Sequence, residues 1–379
     1  MALHPNPLSL KFLTGVVESR PDRKAWRSQY IGTKLLPMRD VGGYELTWDV
    51  VQSENKLAGI YAINGRPIPG SDILFEQRYA EVQNIMYSRV IHPTDVAYMR
   101  EAGEIAVSRT GKALLQASQN KLRRLISECD DSVDATVEYM ILRAMQGNIY
   151  WPPLDADGNP ITDLQPEWGN VSIRIDYPLR AAFNQAVTTL TGYESRTGGG
   201  VVWSTTATSN PILDLEVIAH YMAMTIGMNA HNSTIVMSSE IMSYLSQNEE
   251  IISWLKGTER GTNFVAPADL MEYIKAKIGY QIMIYDAQWT YRSNEDAATG
   301  PTINAIPFLD RGNILIIPNG ADLGYFAVAP SPDGKYKPGK YQWMGEDKEP
   351  PWETRVGEGL VGLPVPEHWD SMFVLDVLS

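Results

Sequence analysis

The stretch NKLRRLISECDDSVDATVEYMILRAMQGNIYW (Asn120–Trp151) reads as a long amphipathic helix that ends in a strand. With Leu115 before it, Leu122, Leu125, Ile126 and Cys129 fall on one stripe, and Lys121, Arg123, Arg124 and Glu128 lie opposite. A second run continues the stripe through Val133, Val137, Met140, Ile141 and Ala144 and closes at Gly147, the residue type that tolerates a left-handed C′ position. The two runs predict one spine with a bend near Asp130-Asp131. Beyond it, YWPPLDADGNPITDLQP (Tyr150–Pro166) poses a choice between a calcium loop and a turn. A calcium loop with ligands at Asp155, Asp157 and Asn159 would need Gly at its sixth position and Glu at its twelfth. Here Gly158 stands fourth and Pro166 twelfth, so the hairpin-turn chemistry of Asp-Gly-Asn is the better reading. The outgoing strand follows, with Val171, Ile173 and Ile175 alternating against Ser172, Arg174 and Asp176.

Upstream, residues 1–38 form an irregular arm. Its cluster Arg20, Arg23, Lys24 and Arg27 is read as a solvated charge run, since no aromatic stacking pattern accompanies it. In YELTWDV, Tyr44, Leu46, Trp48 and Val50 alternate with Glu45, Thr47 and Asp49, which predicts a half-buried strand. Asn64-Gly65 with two prolines reverses the chain, and residues 75–91 return as a second extended arm, a short helix being the alternative. Such a hairpin is too poor in apolar residues to make its own core and needs cover from elsewhere. Helix resumes after HPTD, with Pro93 barring an earlier start and Thr94 or Asp95 as cap.

Downstream, the Gly198-Gly199-Gly200 run lacks the Lys-Ser/Thr of a phosphate loop and reads as a flexible loop. Asn210 and Pro211 are the N-cap and first residue of a helix through about Met228. STIVMS predicts a buried strand, SEIMSYLSQNEEIISWLKG a helix closed by Gly257, and PADLMEYIKAKIG another helix. YQIMIYD, 313–317 and 324–328 predict strands. This alternation describes a compact α/β unit over about 180–326. The last fifty residues are rich in Pro, Gly and Trp, and only SMFVLDVL reads as a strand; the segment 330–358 has no legible path.

The whole chain sets bounds on function. Its 379 residues are 44% hydrophobic and 20% charged, as in a packed protein of about two domains. A net charge of −13 argues against a dedicated nucleic-acid binder. The single cysteine, Cys129, rules out an intrachain disulfide and a Cys-based zinc site within one chain, and its place on the apolar stripe makes it a small core residue. The N-terminus MALHPNPLSLKFLTG is not a signal peptide, and no apolar run approaches the ~20 residues of a membrane helix, so a soluble cytosolic product is expected. The five histidines His4, His92, His220, His231 and His368 make no metal-binding or catalytic pattern, and His220 reads as a hydrogen-bonded structural residue on a helix. Members of the pairs Glu249-Glu250 and Asp130-Asp131 point in different directions on a helix. No catalytic, cofactor-binding or metal residue is nominated, and no enzyme is expected.

The order of these elements resembles the major capsid protein of tailed bacteriophages, in its lambda-type branch. GTKLLPMRDVGGYELTWD resembles the start of that family's long hairpin, NKLRRLISECDDSVDATVEYMILRAMQGNIYW its spine, and VSIRIDY with WSTTATSNPILDLEV its strand, tryptophan and Pro–Asp helix start. The likeness spans roughly 30–379 and departs from the family at RTGGGVVWSTTATSN and at 330–358. It implies an α+β fold shared with encapsulins and herpesvirus capsid floors. Its parts would be an N-terminal arm 1–38, an extended E-loop 39–92, a peripheral domain 93–179 with spine helix and β-hairpin, an axial domain 180–326, and 327–379 returning to the peripheral domain with a C-terminal strand. The implied function is self-assembly, as homo-pentamers and homo-hexamers, into an icosahedral head shell around double-stranded DNA held without specific binding. Individual contacts would be of about 1,600 Å² or less, so that wrong joins dissociate. The implied partners are a decoration protein, a scaffolding protein and a portal, with no membrane. Assembly is expected in the host cytoplasm, and the product in the virion. A separate scaffold and protease are expected rather than a scaffolding domain cleaved from this N-terminus. Some branches cross-link an E-loop lysine; Lys56 is the only one in 39–92, and nothing promotes it to that role. An encapsulin-like compartment, or an enzyme whose site is assembled from distant residues, are the alternatives.

Overall fold

The computed structural model describes residues 29–51, 75–91, 112–153, 173–177, 183–190, 199–226, 232–256, 265–293, 302–333, 335–346, 354–368 and 372–379. The basic arm cluster, Lys56, Asn64-Gly65, the HPTD cap, the DADGN turn and Gly257 lie outside them. In chain order the elements begin with helix α1 (Gly32–Leu35) and strands β1 (Met38–Asp40), β2 (Glu45–Val51), β3 (Phe75–Glu81) and β4 (Gln83–Ile91). Helix α2 (Lys112–Met145) follows, then β5 (Asn148–Trp151), β6 (Ile173–Asp176), β7 (Asn184–Ala186), α3 (Pro211–Ile226) and β8 (Ser233–Met237). Next come helices α4 (Ser239–Gln247), α5 (Glu249–Lys256) and α6 (Pro267–Lys277). The rest is strand: β9 (Gln281–Ile284), β10 (Gln288–Ser293), β11 (Thr302–Pro307), β12 (Asn313–Pro318), β13 (Gly324–Val328), β14 (Tyr341–Glu346), β15 (Thr354–Pro366) and β16 (Phe373–Asp376).

The spine is one helix of 34 residues, α2, about 51 Å long at 1.5 Å per residue. It crosses Asp130-Asp131 without a break, and the Lys340 ammonium bonds both Asp130 and Asp134 one turn apart, which offsets part of their mid-helix negative charge. Ile126, Cys129, Val133, Val137, Met140, Ile141 and Ala144 are buried, as the stripe predicts. Gly147, at φ 105°, ends the helix by donating to the Ala144 carbonyl at 2.9 Å. The end is then fixed to the 308–313 segment by Gln146. Its Nε2 donates to the Phe308 carbonyl at 3.2 Å, and its Oε1 accepts from the Asp310 amide at 3.1 Å and from Asn313 Nδ2 at 3.2 Å. β5 and β6 pair as the predicted hairpin, with Ile173 and Ile175 turned inward and Arg174 and Asp176 exposed.

Two five-stranded sheets carry the rest. In the first, β15 is central: β4 lines one edge, and β14 and β13 follow one another along the other, with β1 beyond β13. In the second the order is β7-β16-β12-β8-β9. That sheet is covered on both faces. Ile235, Met237, Ile314, Ile316, Phe373 and Leu375 face the core with α3–α6, while Val236, Leu315, Ile317 and Val374 join the core of α2 and the first sheet. A strand buried on both faces must be apolar throughout, which is why STIVM and NILII show no alternation.

Other readings of the sequence change as well. The predicted single helix at 239–256 is two, because Asn248 stops one and caps the next: its Oδ1 accepts from the Ile251 amide at 3.1 Å, and its buried Nδ2 donates to the Ser209 carbonyl at 3.0 Å. The segment 330–358, without a legible path in the sequence, supplies β14 and the start of β15. β15 is the longest strand, although glycines interrupt its pattern. Trp343 stands opposite Gly357 and Tyr341 opposite Gly359, and their rings fill the space a side chain would take. Finally, β13 pairs into the first sheet and the C-terminal β16 into the second, so the chain crosses between the sheets twice at its end. The β10–β11 ribbon was not predicted at all.

Candidate functional site: surfaces for self-association

Three buried groups that could do chemistry, Cys129, Glu138 and Asp214, sit within the fold. Burial and the nearby Glu358 carboxylate push the Cys129 thiol up to about 12. The Glu138 carboxylate accepts from the Ile31 amide at 2.9 Å, the Gly32 amide at 2.8 Å and the Tyr285 hydroxyl at 2.7 Å. It thereby caps α1 and ties the end of the arm to the spine and to the chain leaving β9. Gly32 is required by this approach, since a Cβ there would stand 2.6 Å from Glu138 Oε2. Asp214 accepts from Trp203 Nε1 at 2.7 Å and from the Gly200 amide at 3.2 Å. The described end of the glycine run is therefore a turn held by the chain's own carboxylate rather than a free loop. His220 is exposed, not a structural histidine, because the buried stripe of α3 passes through Leu215, Ile218, Ala219 and Met222 and leaves it outside. Among the described residues no three His, Cys, Asp or Glu side chains could hold a metal ion. No described helix is long and apolar enough to cross a membrane.

What remains open is surface. β2 and β3 form a two-stranded antiparallel ribbon, with β4 following one residue after β3, and the 75–91 return is strand rather than helix. Its register puts Leu46 opposite Ala80 and Trp48 opposite Arg78 on one face, where Leu46 is buried and the others are half-buried. Glu45, Thr47, Gln77, Tyr79 and Glu81 line the other face, all exposed, with Tyr79 at 87%. A two-stranded ribbon is marginal in water, and this face has no cover among the described residues. Met86 and Val90 on β4 are exposed apolar side chains. In the second sheet, β9 is an edge strand with Met283 and Ile284 exposed. On the helical layer Trp254 is 64% exposed and lies under the Lys277 ammonium at 5.3 Å. Composition and periodicity showed the ribbon but not these other patches, because exposure is a tertiary property.

No curated protein matches the chain in sequence. The family described as phage major capsid protein E matches residues 10–342. Among solved structures, a prophage protein of Escherichia coli CFT073 described as a capsid protein is 14% identical, with 97% of this chain and 98% of that chain covered and a TM-score of 0.56. A phage-related protein of Bordetella bronchiseptica RB50 is 14% identical over 97% of each chain, with a TM-score of 0.43. The capsid of cyanophage P-SCSP1u is 13% identical over 94% of this chain and 89% of that one, with a TM-score of 0.41. At 14% identity the first of these establishes a shared fold and no more.

Proposed function

The chain belongs to the phage major capsid protein E family, and from that premise we propose that its copies close into rings of five and six that tile an icosahedral head shell. A phage major capsid protein associates with itself and is a component of the virion, not an enzyme. The observation that carries the finer reading is the β2–β3 ribbon, whose outer face of Glu45, Thr47, Gln77, Tyr79 and Glu81 has no cover among the described residues of its own chain. A neighbouring copy supplies that cover.

On this reading 1–38 is the arm, 39–92 the E-loop, 93–179 the peripheral domain and 180–326 the axial domain, with 327–379 returning to the peripheral sheet. β16 is counted with the axial sheet, to which its pairing with β12 ties it. The lambda-type branch, a decoration protein, a scaffolding protein, a portal and assembly in the host cytoplasm belong to the same proposal. The net charge of −13 supports a wall that encloses double-stranded DNA without gripping it, since a strongly basic lining would bind phosphates and oppose their movement.

The test is sedimentation of the purified chain, alone and with its scaffold, followed by negative-stain electron microscopy. Shells, tubes or rings of five and six are expected. A compact monomer or dimer under both conditions, even at high concentration, overturns the proposal.

A further inference from the structure

We propose that the tip Lys335-Tyr336-Lys337, in the loop between β13 and β14, is a docking element for an acidic surface on a second copy of this chain. The inference rests on the shell reading above and adds a contact that the ribbon does not supply. The loop is rigid. Pro330 and Pro338 pair as a β-bridge, and the Ser331 amide donates to the Lys337 carbonyl at 3.0 Å. Inside it, the Asp333 carboxylate accepts from the Ser331 hydroxyl at 2.7 Å and from the Lys335 amide at 3.0 Å. Those bonds also hold the Asp333 carboxyl below its ordinary range, so the brace stays ionised at neutral pH.

At the tip Tyr336 adopts φ 51°, the one non-glycine residue with positive φ among those described. A tyrosine is strained in that conformation, and its ring is 69% exposed. Within the described chain no hydrogen bond or ring contact repays the strain. An exposed aromatic between two lysines, of which Lys335 also pairs with Asp333 at 3.6 Å and is still 70% exposed at its side chain, has the form of an interface anchor. Charge complementarity selects the partner. Every copy carries a net charge of −13, so copies repel unless a basic element of one meets an acidic face of another. DNA fits less well, because two lysines neutralise too few phosphates on an acidic chain for useful affinity.

The experiment compares wild type with Tyr336→Gly and with the double variant Lys335→Glu, Lys337→Glu. Glycine accepts φ 51° without strain, so the first variant removes the ring while relaxing the loop. Thermal melting of the unassembled chain is expected to be unchanged or slightly raised for Tyr336→Gly. The protein concentration needed for half assembly, read by sedimentation, is expected to rise by about tenfold or more in both variants. Assembly of both at the wild-type concentration overturns the inference. So does normal assembly with weaker retention of DNA on a filter, which would assign the tip to the polyanion. A wild type that never assembles fails the shell reading itself and removes this inference with it.

Discussion

Glu138 shows how far a single side chain reaches. It sits in the spine between Val137 and Tyr139, and its three donors lie 106, 107 and 147 residues away in sequence. No pattern in the helix announces it, because an acid at one helical position looks the same whether its partner is water or a distant amide. The neighbouring apolar stripe was legible, since its 3.6-residue period is written locally. Replacing Glu138 by Ala leaves two amides and a hydroxyl buried without an acceptor, so urea unfolding of the unassembled chain should register a loss of about 3 kcal/mol or more. Burial is the largest influence on this carboxyl and raises its pKa, against the lowering effect of its donors. The folded chain therefore binds the proton more tightly than the unfolded chain. The matching stability is fully present below the ordinary carboxylate pKa and is lost as pH rises through the raised value. Glu138→Gln removes the titration, and its stability should be flatter than wild type across that window in urea titrations at a series of pH values. Cys129 behaves as the sequence suggested, a small core residue with its thiol pushed up to about 12. It should resist a disulfide-exchange reagent at pH 8 in the native chain and react fully once denatured; rapid native reaction would contradict that burial.

At the scale of elements, the positions of the long helices were read, while several strands were missed, the central β15 for a definite reason. TRVGEGLVGLPVP carries glycines where strand chemistry wants side chains, and glycine weakens an isolated strand. In the fold those glycines are required, because a Cβ at Gly357 would lie 2.5 Å from Trp343 Cε2 and one at Gly359 would lie 2.6 Å from Tyr341 Cζ. Gly357→Val, an improvement by strand propensity, should therefore lower stability by about 2 kcal/mol in thermal or urea unfolding as the indole is displaced. Unchanged or raised stability would show that the ring has somewhere else to go. Asn248 is the other instance. The helical period runs through it from Ser239 to Lys256, yet its side chain finds the Ser209 carbonyl and the Ile251 amide and turns one helix into two. A local pattern does not reveal that competition, since a residue 39 positions away supplies half of it.

For the whole molecule, the order of elements was enough to suggest the architecture, and the family match over 10–342 and the shared fold with the prophage protein agree with it. Two predictions belong at this scale. Tyr79→Ala, on the open face of the ribbon, should leave the melting of the unassembled chain within about 0.5 kcal/mol of wild type, as surface changes do, while weakening assembly in sedimentation. Removing residues 372–379 should do the reverse. β16 lies between β7 and β12, and Phe373 and Leu375 are fully buried, so the truncated chain should be insoluble or readily digested by protease. By itself the sequence determined the long spine, the alternating ribbon, the doubly buried strands and the absence of catalytic or metal-binding spacing, because each is written in neighbouring residues. Only the tertiary structure decided that a glycine-rich tail forms the central strand of one sheet, that the last strand crosses into the other, and that a buried carboxylate fastens the arm. Those outcomes depend on partners tens to hundreds of residues apart, and their free energy exists only once the chain has brought them together.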